Sequence, residues 1–194
     1  MEHVLEFGRV LSADDRLTSP ARTAALSATI RLVAAGDQDA FARLYADYVR
    51  MVHAILLGRV PRRDVDDLVQ DVFLTAYTRI RELRDPAAFG GWIATIARNR
   101  ATDYLRRVHE PAALPDDLPG GDPADASAFA VLDIVRALPE AYRDTLLMRL
   151  VEGMSGNEIA ERSGLTPASV RVNLHRGMKL LRERMEQHGW HAHE

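Results

Sequence analysis

The side chains with the clearest chemical meaning lie near the C-terminus of the chain. Arginine can pair bidentately with guanine or with a phosphate, and a planar amide can read a base edge. When such residues gather on one helix, they favour contact with DNA over catalysis. The candidate contacts in this stretch are Ser169, Arg171, Val172, Asn173, His175 and Arg176.

The residues around this stretch predict two short helices joined by a tight turn. Ser155 and Glu158 have the spacing of a capping box at the start of the first helix. Gly164 stands where a left-handed residue must end that helix. Thr166 can cap the second helix, and Pro167 fits its first turn, where no amide hydrogen is needed. The pattern is that of a helix-turn-helix whose second helix enters a DNA major groove.

A second polar set lies on a predicted helix in the middle of the chain. Its members share one helical face at spacings of one, three and four residues. Cationic side chains suit phosphates, and an amide between them could read a base that has left the stack. The alternative is an ordinary solvated face. The set comprises Arg98, Asn99, Thr102 and Arg106.

A cluster of aspartates opens another predicted helix, and it comprises Asp64, Asp66, Asp67 and Asp71. Carboxylates could be catalytic or bind a metal, but the sequence shows no histidine or second acidic cluster to complete such a site. Acids at a helix N-terminus also stabilise it through the macrodipole. We therefore expect no catalytic residue, metal or cofactor here. We likewise expect no ordered metal site at His188, His191 and His193, in a short tail.

The bulk composition limits the classes of protein that are possible. The 194 residues include 47% hydrophobic side chains, enough to bury a core, and the net charge is −3. The absence of cysteine excludes disulfides and thiolate metal sites. No apolar run approaches the roughly 20 residues that span a bilayer, so we expect no membrane insertion and a cytoplasmic protein.

Apolar spacings of three and four residues predict helices along most of the chain, with no strand pattern. A run rich in proline, glycine and aspartate interrupts them and predicts a linker. The expected fold class is all-α: two small helical domains joined by a flexible linker, the second containing the helix-turn-helix. The predicted divisions are a flexible extension (1–25), the first domain (26–107), an acidic linker (108–127), the second domain (128–187) and a tail (188–194).

Three stretches together resemble one family. They are DDLVQDVF at Asp66–Phe73, GWIATIARNRATDYLRR at Gly91–Arg107, and LPEAYR at Leu138–Arg143 followed by the helix-turn-helix. In order and spacing they are similar to bacterial sigma factors of the extracytoplasmic-function group. Many regulators contain a helix-turn-helix, whereas the first two motifs are far more specific.

The resemblance implies a promoter-specificity subunit of RNA polymerase that has no catalytic chemistry. Its first domain would bind and help open the minus-ten promoter element, and its second would bind the minus-thirty-five element as duplex. Core RNA polymerase would be contacted at the clamp helices of its largest subunit and at its flap. An anti-sigma factor would control the protein, and no small-molecule substrate is implied.

The resemblance also implies roles for individual residues. Asp67, Gln70 and Asp71 would bind the polymerase clamp helices. Asn99 lies where the family reads an extruded minus-ten base, and the preceding loop, residues 84–91, would frame that pocket.

Two other functions remain open from the residues alone. A stand-alone helix-turn-helix regulator would bind a two-fold symmetric site without polymerase. A helical hydrolase would use the Asp64–Asp71 cluster with a divalent ion, but it lacks histidine and aspartate at metal spacing.

Overall fold

The computed structural model of the chain describes residues 20–109 and 123–187, including the side chains of residues 23–108 and 130–187. These residues form an all-helical fold, as predicted. The α-helices of the described ranges are α1 (Pro20–Ala34), α2 (Gln38–Leu57), α3 (Val65–Arg79), α4 (Phe89–His109), α5 (Pro123–Arg136), α6 (Glu140–Leu150), α7 (Gly156–Ser163) and α8 (Pro167–Gln187).

Helix boundaries differ from the predicted divisions at two places. α1 begins at Pro20, inside the predicted extension, and α5 begins at Pro123, inside the predicted linker. Proline disrupts a helix interior but fits its first turn, so a proline-rich run can still end in a helix start. The tail histidines and most of the predicted linker lie outside the described residues.

The acidic helix predicted from Asp64 to Ile80 is α3 flanked by two 3-10 turns, Arg62–Asp64 and Ile80–Glu82. Its apolar stripe is buried as predicted. Asp64 makes a contact between helices, because its Oδ2 accepts a hydrogen bond of 2.7 Å from the Tyr104 hydroxyl on α4. Asp64 thus ties the start of α3 to α4.

The helix-turn-helix has the predicted turn chemistry. The Ser155 hydroxyl accepts from the Glu158 amide at 3.2 Å, and the Glu158 carboxylate accepts from the Ser155 amide at 2.7 Å. Gly164 ends α7 in the left-handed conformation, at φ 75°. The Thr166 hydroxyl accepts from the Ser169 amide at 3.1 Å and so caps α8.

Glycine in the interior of α8 has a packing reason. A Cβ built on Gly177 would lie 3.0 Å from Leu146 Cδ1 and 3.2 Å from Tyr142 Cβ, so α8 approaches α6 closely at this point. This approach seats α8 on α6, the helix that precedes the helix-turn-helix.

The N-terminal helices (α1–α4) and the C-terminal helices (α5–α8) pack directly against each other. α6 and α7 lie on α2, and α7 also contacts α4. The buried apolar residues of both groups belong to one continuous cluster, from Ile30 to Leu181. The sequence predicted two domains on a tether, and it contained no signal for this contact.

Within the described ranges, no helix combines the length and apolar character needed to cross a membrane.

Candidate nucleic-acid interface

The exposed face of α8 carries most of the predicted duplex contacts. Val170, Leu174 and Leu181 face the core, which turns the opposite side of the helix to solvent. The predicted contacts exposed there are Ser169, Arg171, Val172, His175 and Arg176.

Two residues of this set have surroundings that the sequence did not predict. Asn173 is half-buried, because its position turns it towards the core side of α8. The Ser169 hydroxyl lies 2.8 Å from the Thr166 hydroxyl and is therefore already part of the cap.

Val172 is 44% exposed and lies near the centre of the open face. An apolar side chain at that position suits the methyl group of thymine.

The predicted single-strand contacts on α4 are divided between two environments. Asn99, Thr102 and Arg106 are exposed, and the Thr102 hydroxyl donates to the Arg98 carbonyl at 3.0 Å. Arg98 itself is 37% exposed, but its guanidinium points to α6. The structure therefore leaves three of the four side chains open to solvent.

The aromatic residues near this face are mostly buried. Phe89 is fully buried against Tyr48, with ring centroids 4.9 Å apart. Trp92 is half-buried, and its ring centroid lies 5.8 Å from that of Phe89. These rings support the start of α4 rather than forming an open stacking platform.

The predicted polymerase-binding face on α3 is open. Asp67, Gln70 and Asp71 are exposed. One turn later on the same face lies Leu74, whose side chain is 63% exposed. Sequence reasoning missed Leu74; the signal was its position seven residues after Asp67, opposite the buried stripe. Its side chain adds apolar area to the face that carries Asp67 and Asp71.

An ion-pair cluster joins the N-terminal and C-terminal helices. We call Arg59, Arg98, Glu140 and Asp144 the Asp144 cluster. Arg59 donates to both carboxylate oxygens of Asp144, at 2.7 and 3.1 Å. Arg98 Nη2 lies 3.2 Å from Asp144 Oδ2, and Arg98 Nε lies 2.8 Å from Glu140 Oε1. The Asp144 side chain is 6% exposed and that of Arg59 is 9% exposed.

A second polar contact joins α2 to the loop after α6. His53 Nδ1 lies 2.6 Å from Glu152 Oε1, and Arg50 donates to the Glu152 carbonyl. The hydrogen bond to Glu152 raises the pKa of His53 above its ordinary value, although burial opposes this. A cavity of about 500 Å³ opens beside the contact, and Asp66 and Gln70 line its α3 side.

Arg162 on α7 makes a third set of contacts with α2. Its Nη2 donates to Asp47 at 3.0 Å, and its guanidinium lies 5.2 Å from the centre of the Tyr48 ring. The backbones of α4 and α7 meet beside it, where a Cβ on Gly90 would collide with the Arg162 carbonyl oxygen. Gly90 therefore allows α4 and α7 to touch.

In the part of the chain that the structure describes, no three histidine or acidic side chains converge as metal ligands would.

Comparisons with known proteins match both groups of helices. Residues 44–110 match the family described as Sigma-70 region 2, and residues 128–181 match Sigma-70, region 4. The regions occur in the order in which the two candidate DNA faces lie along the chain.

Curated relatives agree with these family matches. RNA polymerase sigma factor CarQ of Myxococcus xanthus is 31% identical over 157 residues, covering 76% of this chain and 90% of CarQ. The ECF RNA polymerase sigma-E factor of Haemophilus influenzae is 29% identical, covering 82% of this chain and 94% of that protein. The probable RNA polymerase sigma factor RfaY of Xanthomonas campestris is 34% identical, and the match spans only 42% of its length.

Among solved structures, the chain is similar in fold to CnrH, which was solved in complex with the cytosolic domain of CnrY. The TM-score is 0.56 at 24% sequence identity, and the match covers 82% of this chain and 96% of CnrH.

Proposed function

From the premise that this chain belongs to the extracytoplasmic-function sigma factors, we propose that it binds core RNA polymerase and directs it to specific promoters. The main support for this proposal is that one chain contains both sigma-70 regions. Each region has an exposed polar helix face, on α4 in the first and on α8 in the second. A protein of this kind acts by binding and supplies no catalytic chemistry of its own. Its place of action is the cytoplasm, where polymerase meets promoter DNA.

The α8 face would bind the minus-thirty-five element as duplex. Arg171 and Arg176 supply cationic groups for phosphates or guanine edges, and Val172 supplies an apolar contact for a thymine methyl. The α4 face would hold the opened minus-ten element, with Asn99 reading an extruded base between Arg98, Thr102 and Arg106. Each contact need only be weak, because polymerase holds both faces on one promoter and raises their effective concentration.

The α3 face would bind the clamp helices of the largest polymerase subunit through Asp67, Gln70 and Asp71, with the C-terminal helices at the flap. Exposed Leu74 extends this face with apolar area. The same mixed surface suits an anti-sigma factor, which would block polymerase by covering it.

Transcription reconstituted from purified components tests the proposal. The chain is added to core polymerase with a library of genomic promoters, and initiation sites are mapped. We expect initiation at a limited promoter set that requires the chain. Tight binding to palindromic DNA without polymerase, together with no promoter-specific initiation, would favour the stand-alone regulator instead.

A charge reversal on α3 tests the polymerase contact separately. Asp71→Arg should weaken binding to core polymerase at least tenfold, because a buried charge pair across an interface contributes about 1.5 kcal/mol or more. Binding of duplex minus-thirty-five DNA should be unchanged. Asp39→Arg makes the same charge change at an exposed position on α2 and serves as the matched control. Equal effects of the two reversals on polymerase affinity would remove the α3 face from the proposal.

A further inference from the structure

We propose that the Asp144 cluster holds the free protein in a closed state, in which the C-terminal helices pack on the N-terminal helices. In this state the carboxylates of α6 bind Arg98 where DNA phosphates would otherwise bind it. The inference rests on the proposed function, since it takes Arg98 as a contact to the minus-ten strand. It adds a regulatory contact inside the chain: the helices that bind one promoter element mask a residue that binds the other.

The geometry at Arg98 carries the first step. Two of its three guanidinium nitrogens lie against α6, with Nε 2.8 Å from Glu140 and Nη2 3.2 Å from Asp144. A guanidinium binds carboxylates and phosphates through the same planar set of donors. Glu140 and Asp144 therefore present to Arg98 the chemistry that a DNA backbone would present.

Burial carries the second step. The Arg59–Asp144 pair is bidentate and nearly removed from solvent, so separating α6 from α2 returns two charges to water together. Arg98 and Glu140 lie at the more exposed edge of the cluster, 37% and 54% exposed. The edge is the part that an incoming anion reaches first.

The charge balance makes the closed state reversible. Arg143 Nε lies 3.8 Å from Asp144 Oδ1, so three guanidinium groups surround two carboxylates. Burial and the neighbouring Arg59 charge lower the pKa of Arg143 below its ordinary value. An anionic DNA backbone can therefore compete for the excess positive charge.

The distance between promoter elements shows that the closed state must open. The two element names imply centres about 25 base pairs apart, or about 85 Å along B-form DNA. A compact chain of this length has a radius of gyration of about 16 Å and is about 40 Å across. While α7 lies on α4, the faces on α4 and α8 cannot reach both elements. Full promoter binding thus requires the C-terminal helices to leave the N-terminal helices.

Gly90 offers a way to open the contact without changing any charge. A Cβ at this position would collide with the Arg162 backbone carbonyl on α7, whereas a Cβ on Gly91 has no neighbour within 4 Å. Gly90→Ala and Gly91→Ala are therefore a matched pair. Both should fold, because alanine favours a helix by about 1 kcal/mol over glycine.

The experiment measures the separation of the two groups of helices in the full chain. The sequence has no cysteine, so spin labels attach only at Ala42→Cys on α2 and Arg182→Cys on α8, both exposed. Electron–electron distances are recorded for the unchanged background, for Gly90→Ala, and for Glu140→Gln with Asp144→Asn. The controls are Gly91→Ala and a double variant, Glu183→Gln with Glu186→Gln, which removes two negative charges at exposed positions.

We expect a single short distance in the background and both controls, and a broad, longer distribution in Gly90→Ala and in the Glu140/Asp144 variant. Glu140→Gln alone keeps the buried Arg59–Asp144 pair and should open the protein only in part. Circular dichroism identifies any variant that has lost helix. Unchanged short distances in both test variants would overturn the proposal.

A binding measurement tests the masking of Arg98. Single-stranded minus-ten DNA, identified from the mapped promoters, should bind the Glu140/Asp144 variant about tenfold more tightly if a tenth of the unchanged protein is open. The Glu183/Glu186 control should bind like the unchanged protein. A variant that is open but shows no increase in affinity for this DNA would overturn the masking of Arg98. Failure of the proposed sigma function would appear independently, as a lack of promoter-specific initiation with core polymerase.

Discussion

At the scale of single residues, the neighbours Arg98 and Asn99 on α4 differ in whether their side chains are available to bind DNA. Asn99 is exposed, whereas Arg98 beside it lies against two carboxylates 42 and 46 positions later in the chain. A planar amide on an open face can accept one hydrogen bond from a base edge and donate another to it at the same time. The proposed base reading therefore depends on Asn99, and the strength of backbone binding depends on whether Arg98 is released.

Truncation of Asn99 tests base reading. Asn99→Ala should slow open-complex formation at cognate promoters by about 5- to 150-fold, since a bidentate amide–base contact is worth about 1–3 kcal/mol. Binding of duplex minus-thirty-five DNA should not change. Gln38→Ala, an exposed amide on α2 outside every predicted face, is the control. Normal opening and unchanged promoter choice in Asn99→Ala would contradict the assignment.

His53 makes stability depend on pH with a defined sign. Glu152 raises its folded-state pKa, with a smaller contribution from Asp66, while burial and Arg62 oppose the rise. The protonated imidazole is thus favoured by folding, so the contribution is full below the unfolded pKa of about 6.5 and is lost as pH rises through the folded pKa.

Urea unfolding at pH 5.5 and pH 9 measures this contribution. The difference in unfolding free energy between the unchanged protein and His53→Gln should be larger at pH 5.5. Glu152→Gln removes the main cause of the raised pKa, so it should reduce or reverse the pH dependence of that difference. An equal difference at both pH values would mean that His53 titrates no differently in the folded and unfolded chain.

At the scale of elements, short-range chemistry at the helix ends determines the helix-turn-helix. The reciprocal Ser155 and Glu158 bonds start α7, left-handed Gly164 ends it, and Thr166 starts α8. These contacts span at most four residues, so the sequence contained all of them. Hydrogen bonds from Ser155 also lower the pKa of Glu158. The Glu158 carboxylate therefore stays charged at pH values at which an ordinary glutamate would be protonated.

Loss of the capping box should destabilise the C-terminal helices. Ser155→Ala removes the acceptor for the Glu158 amide and should cost about 1 kcal/mol in urea unfolding. Ser27→Ala on α1 is the matched control, because that hydroxyl only donates back to the Thr23 carbonyl within a helix. Equal unfolding midpoints in the two variants would show that the cap contributes no stability.

At the scale of the whole molecule, the two groups of helices share one buried apolar cluster. Leu147 illustrates the continuity: it is buried on α6, and its Cδ1 would lie 2.8 Å from a Cβ on Gly58, at the end of α2. Groups joined by a continuous core unfold together. The closed state should therefore behave as one cooperative unit.

Coincident thermal transitions test this cooperativity. Trp190→Phe leaves Trp92 as the only tryptophan, a reporter within the N-terminal helices. In low salt, its fluorescence and the far-ultraviolet circular dichroism of all helices should change at the same temperature. Gly90→Ala, which places a Cβ against the Arg162 carbonyl on α7, should split the two transitions. Separate transitions in the protein that keeps Gly90 would contradict a shared core.

The sequence by itself determined what depends on near neighbours in the chain. Helix starts, apolar stripes, the turn of the helix-turn-helix and the family motifs all follow from residues within a few turns of one another. It did not anticipate that α1 and α5 each begin at a proline, Pro20 and Pro123, within segments predicted to be an extension and a linker.

Only the tertiary structure decided how the two groups of helices meet. The Arg59–Asp144 pair joins residues 85 positions apart, and the His53–Glu152 pair joins residues 99 positions apart. No local pattern distinguishes an arginine that faces solvent from one that faces a distant carboxylate, because both positions are polar on a helix surface. The role of Arg98 therefore depends on packing that α4 alone does not specify.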